Sequence, residues 1–600
     1  NLTFFGDFAV GERCGTTVAG TWTGALSNDW SAPENWQCGL IPNSTINVLI
    51  STGLIRYPVL SSGIGSAKNI TIQTGASVTV TNATLQISGL ISNSGLFNVA
   101  NGTVEMNGTT AQIIPANVFS GNTISNLTTN NAAGVSLSGL LNITGILKAT
   151  IGNFNTGGFV TLVSNATQSA LIDGAGNGEV LGNVNMQRYL PVGFGYKYFS
   201  SPFLNATVNE FSDDLNLLSA FHPLYKYDES LSSSGWVNYS SPAGVLVPFV
   251  GYAANFGNST APKTVDVSGV VNNHLKTINV KNNNKPFTLG FNLVGNPYPS
   301  PIDWDAATGW TRTNVDNAVY YFDASATDQY GGSYSSYING ISSNGIAGNI
   351  IPAMQGFFVH VSNGTFPVNG SLQINNPART TQLQPVFHRE SSTDPTPLIR
   401  IETGFADFGF QNDAMVVYFD QQATVGFNKE NDALKLMNTD SYIPNIYTFS
   451  SDANRLSINA LPDALETIDK IPVGLKIETD GWVKFNASKI VAIPDSLNIY
   501  FVDSELRTNH DLRKTPEFRI NMKKGVYETR FFLAFTEKEF PFITDTDEFG
   551  IYSYGESVFI YYNLDEGMKG EMTISNLQGQ LVWKTELQHT GHFDIQPHLS

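Results

Sequence analysis

The sequence predicts an all-β protein, with N-terminal β-solenoid-like repeats followed by β-sandwich domains of Ig-like or jelly-roll kind. Three observations lead there. Charged residues make up only 14% of the chain although 41% of it is hydrophobic. Helix surfaces are ordinarily covered by Glu, Lys and Arg, so this deficit favours sheets and turns. Short apolar pairs of period two recur, such as Ile70/Ile72, Val78/Val80, Leu85/Ile87, Phe97/Val99 and Val104/Met106. Asn-Gly, Ser-Gly and Thr-Gly steps punctuate them, which is the pattern of short strands joined by turns. Finally, 600 residues exceed what one core serves, so several domains are expected.

Residues 1–50 form a Trp-rich module. It contains Gly20-Thr-Trp-Thr-Gly24, Asp29-Trp30 and Glu34-Asn-Trp36, followed by Ile41-Pro42. Three tryptophans so close together read as a miniature core, because large rings bury much area in a small lobe. The other use for them is a sugar-stacking platform. The two cysteines, Cys14 and Cys38, both lie here and read as a disulfide closing a short loop in an oxidising compartment.

Residues 51–186 carry the repeat. Asn69-Ile-Thr71 aligns with Asn126-Leu-Thr128, and Val78-Thr-Val80 with Val135-Ser-Leu137. One step out of phase, Leu85-Gln-Ile-Ser-Gly89 aligns with Leu141-Asn-Ile-Thr-Gly145. A repeat of nearly sixty residues built from such strands predicts a β-solenoid, each rung burying its apolar face against the next. The scarcity of charge fits, because like charges on successive coils would stand only about 4.8 Å apart. A sandwich of paired hairpins is the competing fold. The Asn-x-Ser/Thr triplets at Asn69, Asn82 and Asn101 read as turn and strand residues. Gly174-Ala-Gly-Asn-Gly178 lacks dinucleotide spacing and reads as a solenoid turn.

Beyond residue 186 aromatics and proline increase. Residues 187–380 hold Gln187-Arg-Tyr-Leu-Pro191, Phe291-Asn-Leu-Val-Gly-Asn-Pro-Tyr-Pro-Ser300 and Gln355-Gly-Phe-Phe-Val-His-Val361, and predict a sandwich. Residues 390–538 predict a second sandwich or jelly-roll, from runs such as Met415-Val-Val-Tyr-Phe419 and Leu497-Asn-Ile-Tyr-Phe-Val502.

Residues 545–600 include Val558-Phe-Ile-Tyr-Tyr562 and Met572-Thr-Ile-Ser-Asn-Leu-Gln-Gly-Gln-Leu-Val582. With Ile574, Asn576, Leu577, Gly579 and Val582 at signature spacing, this stretch resembles the type A C-terminal sorting domain of Bacteroidetes type IX secretion substrates. The Trp module and the segment 187–361 resemble modules that recur in such proteins. The resemblance implies a small Ig-like sandwich, recognition by the outer-membrane translocon, and passage through the periplasm to the cell surface or medium. Thr544-Asp-Thr-Asp547 stands where that family has Pro-Asn-Pro, and its closing strand is missing before Ser600. The domain is therefore expected to be incomplete, with an open edge.

No catalytic constellation emerges: G-x-S-x-G, H-E-x-x-H and P-loop patterns are absent from the sequence. His222, His274, His360, His388, His510, His589, His592 and His598 are scattered, so no metal site is expected. Asp545, Asp547, Gly550 and Glu556 have calcium-loop spacing, but Phe549 occupies a ligand position. An acidic linker is the expectation there, with Ca²⁺ the only cofactor worth a test. Asp303, Asp305, Asp316 and Asp323 form a loose acidic set, readable as turn residues or as paired glycosidase carboxylates.

A net charge of −18 disfavours nucleic acid and anionic membranes as partners. No apolar run is long enough for a transmembrane helix. No signal peptide is present, and the start at Asn1 reads as a processed or trimmed end. The expected function is a secreted or cell-surface structural or adhesive protein without catalysis. One alternative is a carbohydrate-binding or polysaccharide-processing protein using Trp22, Trp236, Trp304 and Trp310. Another is a filament subunit. Partners would be the translocon, surface glycans or proteins, or further copies of the chain.

Overall fold

The computed structural model describes residues 20–383, 396–407, 411–462, 470–536, 549–554, 557–562, 569–576, 578–588 and 591–595. It is all-β: the only helical pieces among these residues are short 3₁₀ turns. The chain divides into two compact units, one of Asn1–Asp316 with Gly348–Arg389, the other of Asn317–Ala347 with Glu390–Ser600.

The first unit opens with a β-solenoid of about seven turns. Each full coil has three sides. The first side runs through Val48–Ile50, Ile70–Ile72 and Ile91–Asn93, then Gln112–Ile114, Val135–Leu137, Phe154–Asn155 and Val180–Leu181. The other two sides belong to one long parallel sheet, and strands such as Ser77–Ile87 and Leu96–Met106 bend between them at a register shift near Thr81. Inward residues stack in columns. Leu85, Val104, Leu127 and Leu147 pair in register and are all fully buried. A second column runs Ala67, Ile87, Met106, Thr129, Ala149. Buried and more exposed residues alternate along each strand as the pleat requires, and the alternation changes phase at the bend, from Val78 and Val80 to Ala83, Leu85 and Ile87.

The coil is shorter than the sequence repeat of nearly sixty residues. Val48 pairs with Ile70, 22 positions on, Val135 with Phe154, 19 on, and Phe154 with Val180, 26 on. The aligned motifs are nonetheless equivalent corners. The Asn69 side chain accepts a hydrogen bond from Leu90 N–H at 2.7 Å, and Asn126 accepts one from Ile146 N–H at 2.8 Å. In both, a glycine one coil later makes room: a Cβ on Gly89 would lie 2.2 Å from Asn69 Oδ1, and one on Gly145 would lie 2.4 Å from Asn126 Oδ1. Asn69 stands just before a first-side strand, whereas Asn126 lies within Thr123–Asn130 on the long sheet. The same corner device thus recurs one side out of phase. The Gly174–Gly178 run is a corner too, since a Cβ on Gly178 would fall 1.9 Å from Gly152 O on the preceding coil.

Both ends of the solenoid are covered. At the start, Trp22 N–H donates to Leu49 O and Leu49 N–H to Gly20 O, each at 3.0 Å, while Trp30 N–H donates to Val59 O at 3.0 Å. Residues 20–36 therefore lie over the first coil. At the far end, Asn183–Leu190 pairs in parallel with Val160–Leu162 and, on its other edge, antiparallel with Lys263–Val271. An uncapped solenoid would expose its apolar columns and a row of unpaired backbone groups.

The rest of this unit is layered sheet. Tyr196–Ser200, Gly251–Asn255, Leu224–Tyr227 and Trp236–Asn238 form four antiparallel strands. Phe358, on the Gly356–Val361 strand that pairs with Phe291–Gly295, packs against Tyr198 and Tyr227 of that sheet. A three-stranded sheet of Lys276–Asn282, Val368–Ile374 and Trp310–Thr313 completes it.

In the second unit a single path of ten strands runs from Thr508–Asp511 to Glu517–Met522. Its neighbours are antiparallel except Asp413–Phe419 with Arg455–Leu461. The path curls over one core that includes Ile399, Phe485, Phe501 and Phe531. Its two ends meet where the His510 ring stacks on Phe518 at 3.8 Å and 6°. Further on, Phe549–Tyr554, Ser557–Tyr562 and Gly591–Ile595 form one small sheet, and Lys569–Ser575 with Leu581–Gln588 form a hairpin.

Candidate functional site

The tryptophans singled out by the sequence have separate fates. Trp22, Trp30 and Trp36 are 1–2% exposed and meet edge to face, with centroids 4.9 Å apart for Trp22–Trp36 and 4.8 Å for Trp30–Trp36. Trp36 Nε1–H donates to Trp30 O at 2.7 Å, and Trp22 Nε1–H to Arg56 O at 2.8 Å. Buried Asn35 fastens the loop around them: its Oδ1 accepts from Leu26 and Ser27 N–H, and its Nδ2 donates to Asp29 O. These rings form the miniature core of the solenoid cap. Cys38 sits beside them in the left-handed region, at φ 69°. Cys14, the other half of the expected bridge, lies outside the described residues.

Trp304 is likewise buried, 4.8 Å from half-buried Trp310. The Arg312 guanidinium lies 3.8 Å from the centre of the Trp304 ring and donates to Trp304 O. This stack glues Trp310–Thr313 to its neighbours.

Trp236 belongs to a different environment. It is half-buried, and so are Tyr196, Tyr225 and Tyr227. Alternation along the four-stranded sheet puts Tyr196, Tyr198, Tyr225, Tyr227 and Trp236 on one face, with Gly251 and Ala253 as small residues between them. Tyr227–Trp236 centroids are 5.0 Å apart, Tyr198–Trp236 5.7 Å and Tyr196–Tyr225 6.4 Å. Phe358 beneath holds Trp236 and Tyr227 edge-on. Asn238, exposed at the end of this row, offers an amide beside the rings. Burial pushes the Tyr225 hydroxyl up from its ordinary range, so it stays a neutral donor. Aromatic faces with an adjacent amide are the chemistry that stacks on sugar rings, which makes this edge the strongest candidate site. Periodicity alone could have flagged it, since Tyr196/Tyr198 and Tyr225/Tyr227 alternate as face residues.

Among the described residues the acids and histidines singled out by the sequence do not gather into one site. Asp303 Oδ1 accepts from Asp305 N–H and from Asn349 Nδ2. Asp316 is fully committed to buried His360, 2.5 Å away, and to the Ser362 hydroxyl at 2.6 Å. Asp316 and Asp323 lie seven apart on Val315–Ala324, hence on opposite faces. His274 pairs with Glu179 at 2.6 Å. His388, His589 and His598, with Asp545, Asp547 and Glu556, lie outside the described residues, as does the His592 side chain. Among the described residues no group of three His, Cys, Asp or Glu side chains is placed to hold a metal. No helix among them is long and apolar enough to cross a membrane.

Of the sorting signature, Leu577 lies outside the described residues and the others build one hairpin. Ile574 pairs with Trp583, and Asn576 Oδ1 accepts from Gln578 and Gln580 N–H at 3.1 and 2.9 Å. Gly579 follows at φ 80°, a conformation that favours glycine. Val582 stands half out of the hairpin, 42% exposed. The Asn and Gly of the signature are thus turn formers, and the apolar positions are strand residues.

A family model described as Domain of unknown function (DUF8693) matches residues 21–112 and 103–535. No curated protein and no solved structure matches the chain.

Proposed function

Because the chain belongs to the DUF8693 family, we propose its function from its own geometry: a secreted or cell-surface structural and adhesive protein exported by the type IX route. The observation that carries this is the solenoid with both ends covered. Its seven coils, at about 4.8 Å each, make a stiff body about 30 Å long. Its accessible area is lateral, and those sides carry ladders such as Gln86, Glu105, Thr128, Lys148 and Asp173. Within that ladder Lys148 meets Asp173 at 2.9 Å. A regular, hydrogen-bonding side suits broad contact with a polar surface. The hairpin at 569–588 and the proposed Cys14–Cys38 bridge are consistent with export. Deleting residues 549–600 tests the route: the protein should then accumulate in the periplasm, and unchanged surface display would refute it. Loss of the full-length protein should reduce attachment of cells to a polar surface.

The aromatic edge around Trp236 favours one second reading, that the adhesive contact is to carbohydrate. Binding on a glycan array should fall about fivefold or more in Tyr225→Ala, since one stacked ring contributes on the order of 1 kcal/mol or more. Unchanged binding in that variant would remove the reading.

A further inference from the structure

In the second unit, Lys435 and Asp413 form an isolated pair in the interior. Each side chain is 1% exposed. Lys435 Nζ lies 2.6 Å from both carboxylate oxygens of Asp413. Ile446 N–H donates to Asp413 Oδ2 at 2.7 Å. The two residues come from different elements: Asp413 begins the strand Asp413–Phe419, and Lys435 follows Ala433–Leu434. Lys435 is anchored on its own side by its N–H to Arg455 O at 2.8 Å.

Taking an ammonium and a carboxylate out of water is costly, and the pair recovers that cost through mutual attraction and the Ile446 N–H bond to Asp413. A neutral amide is far less costly to bury than two ions. We propose that Lys435 and Asp413 condense into an intramolecular amide, a covalent cross-link between the two elements.

The step balances within the pair. One proton passes from Nζ to Oδ1, leaving a neutral amine and a carboxylic acid in contact. The Nζ lone pair forms a bond to Cγ. The Cγ–Oδ1 bond then breaks, and Oδ1 leaves as water with the first proton and a second one from nitrogen. Oδ2 becomes the amide carbonyl oxygen. Ile446 N–H already points at Oδ2 and would stabilise the charge that develops there. No oxidant, reductant or cofactor enters. Amide formation is unfavourable between free molecules in water, but two groups held in contact have effective concentrations on the order of 10⁵ M or more. Exclusion of water from a site this buried also protects the product from hydrolysis.

The test is mass spectrometry of the purified full chain, denatured before measurement, with peptide mapping. Wild type should weigh one water less than its sequence and yield a branched peptide joining residues 413 and 435, with trypsin unable to cleave after Lys435. Lys435→Arg keeps the cation and should restore the full mass with unbranched peptides. Should that variant fold poorly, the wild-type map still decides. Unlinked peptides bearing Asp413 and Lys435 in wild type, at full mass, would overturn the proposal.

Discussion

Thr129 is the one hydroxyl residue in an otherwise apolar column of the solenoid, between Met106 on one coil and Ala149 on the next. It is fully buried, and its Oγ1 has no hydrogen-bond partner. An unsatisfied buried hydroxyl costs about 1–3 kcal/mol. Valine has nearly the same shape, and its extra methyl adds burial of the order of 0.8 kcal/mol. Thr129→Val should therefore stabilise the solenoid by about 2 kcal/mol without overpacking. The chain has more than one unit, so a single unfolding midpoint is a poor readout. Hydrogen exchange of amides in residues 96–151 reports the coils directly, and a gain of this size slows it about thirtyfold. Thr128→Val, one position along and facing outward, should change exchange by less than about threefold, within the range of ordinary surface substitutions. If Thr129→Val leaves exchange unchanged or faster, the hydroxyl is satisfied and the reasoning from its burial fails.

Further outcomes follow from the same reasoning. Gly152 has φ 73°, and a Cβ there would sit 1.8 Å from Asn131 O; Gly152→Ala should destabilise the solenoid by more than about 2 kcal/mol, read by limited proteolysis between residues 131 and 180. Trp36→Ala should cost about 3–5 kcal/mol by emptying the cap, and calorimetry or exchange at residues 46–60 would register it. Burial raises the Asp432 carboxyl to about 6, against opposing hydrogen bonds from Ala460 and Asn428 N–H. The folded state then takes up this proton before the unfolded chain does. Its contribution to stability is complete below the ordinary Asp range and is lost as pH rises through about 6. Carboxyl NMR should show the Asp432 midpoint near 6; a midpoint near 4 would refute this.

The strand class and the solenoid were legible because period-two pairs such as Leu85/Ile87 have only one way to bury every second side chain. Coil length was not. The motif that repeats most clearly, an asparagine facing a glycine one coil later, serves any corner, and it moves from one corner to another between Asn69 and Asn126. Sequence spacing therefore measured the distance between like corners and not one turn. The tryptophan cap was readable as packing from ring density alone. Pairing of Asn183–Leu190 with Lys263–Val271 was not, because it joins segments some eighty residues apart and no local pattern encodes a partner at that distance. For the same reason the Trp236 edge, assembled from four strands, stayed hidden behind its individual rings. The Lys435–Asp413 pair was equally invisible, since two charges 22 positions apart look like ordinary surface residues until burial is known.

The covered ends have an evolutionary consequence. A cap that fits only the first coil and a sheet that fits only the last make the body between them a spacer of adjustable length. Duplicating one interior coil of about twenty residues would lengthen the rod by about 4.8 Å and leave both terminal fits intact. Related chains can thus present their flanking sheets at different reach by changing a count, with no new contact to invent.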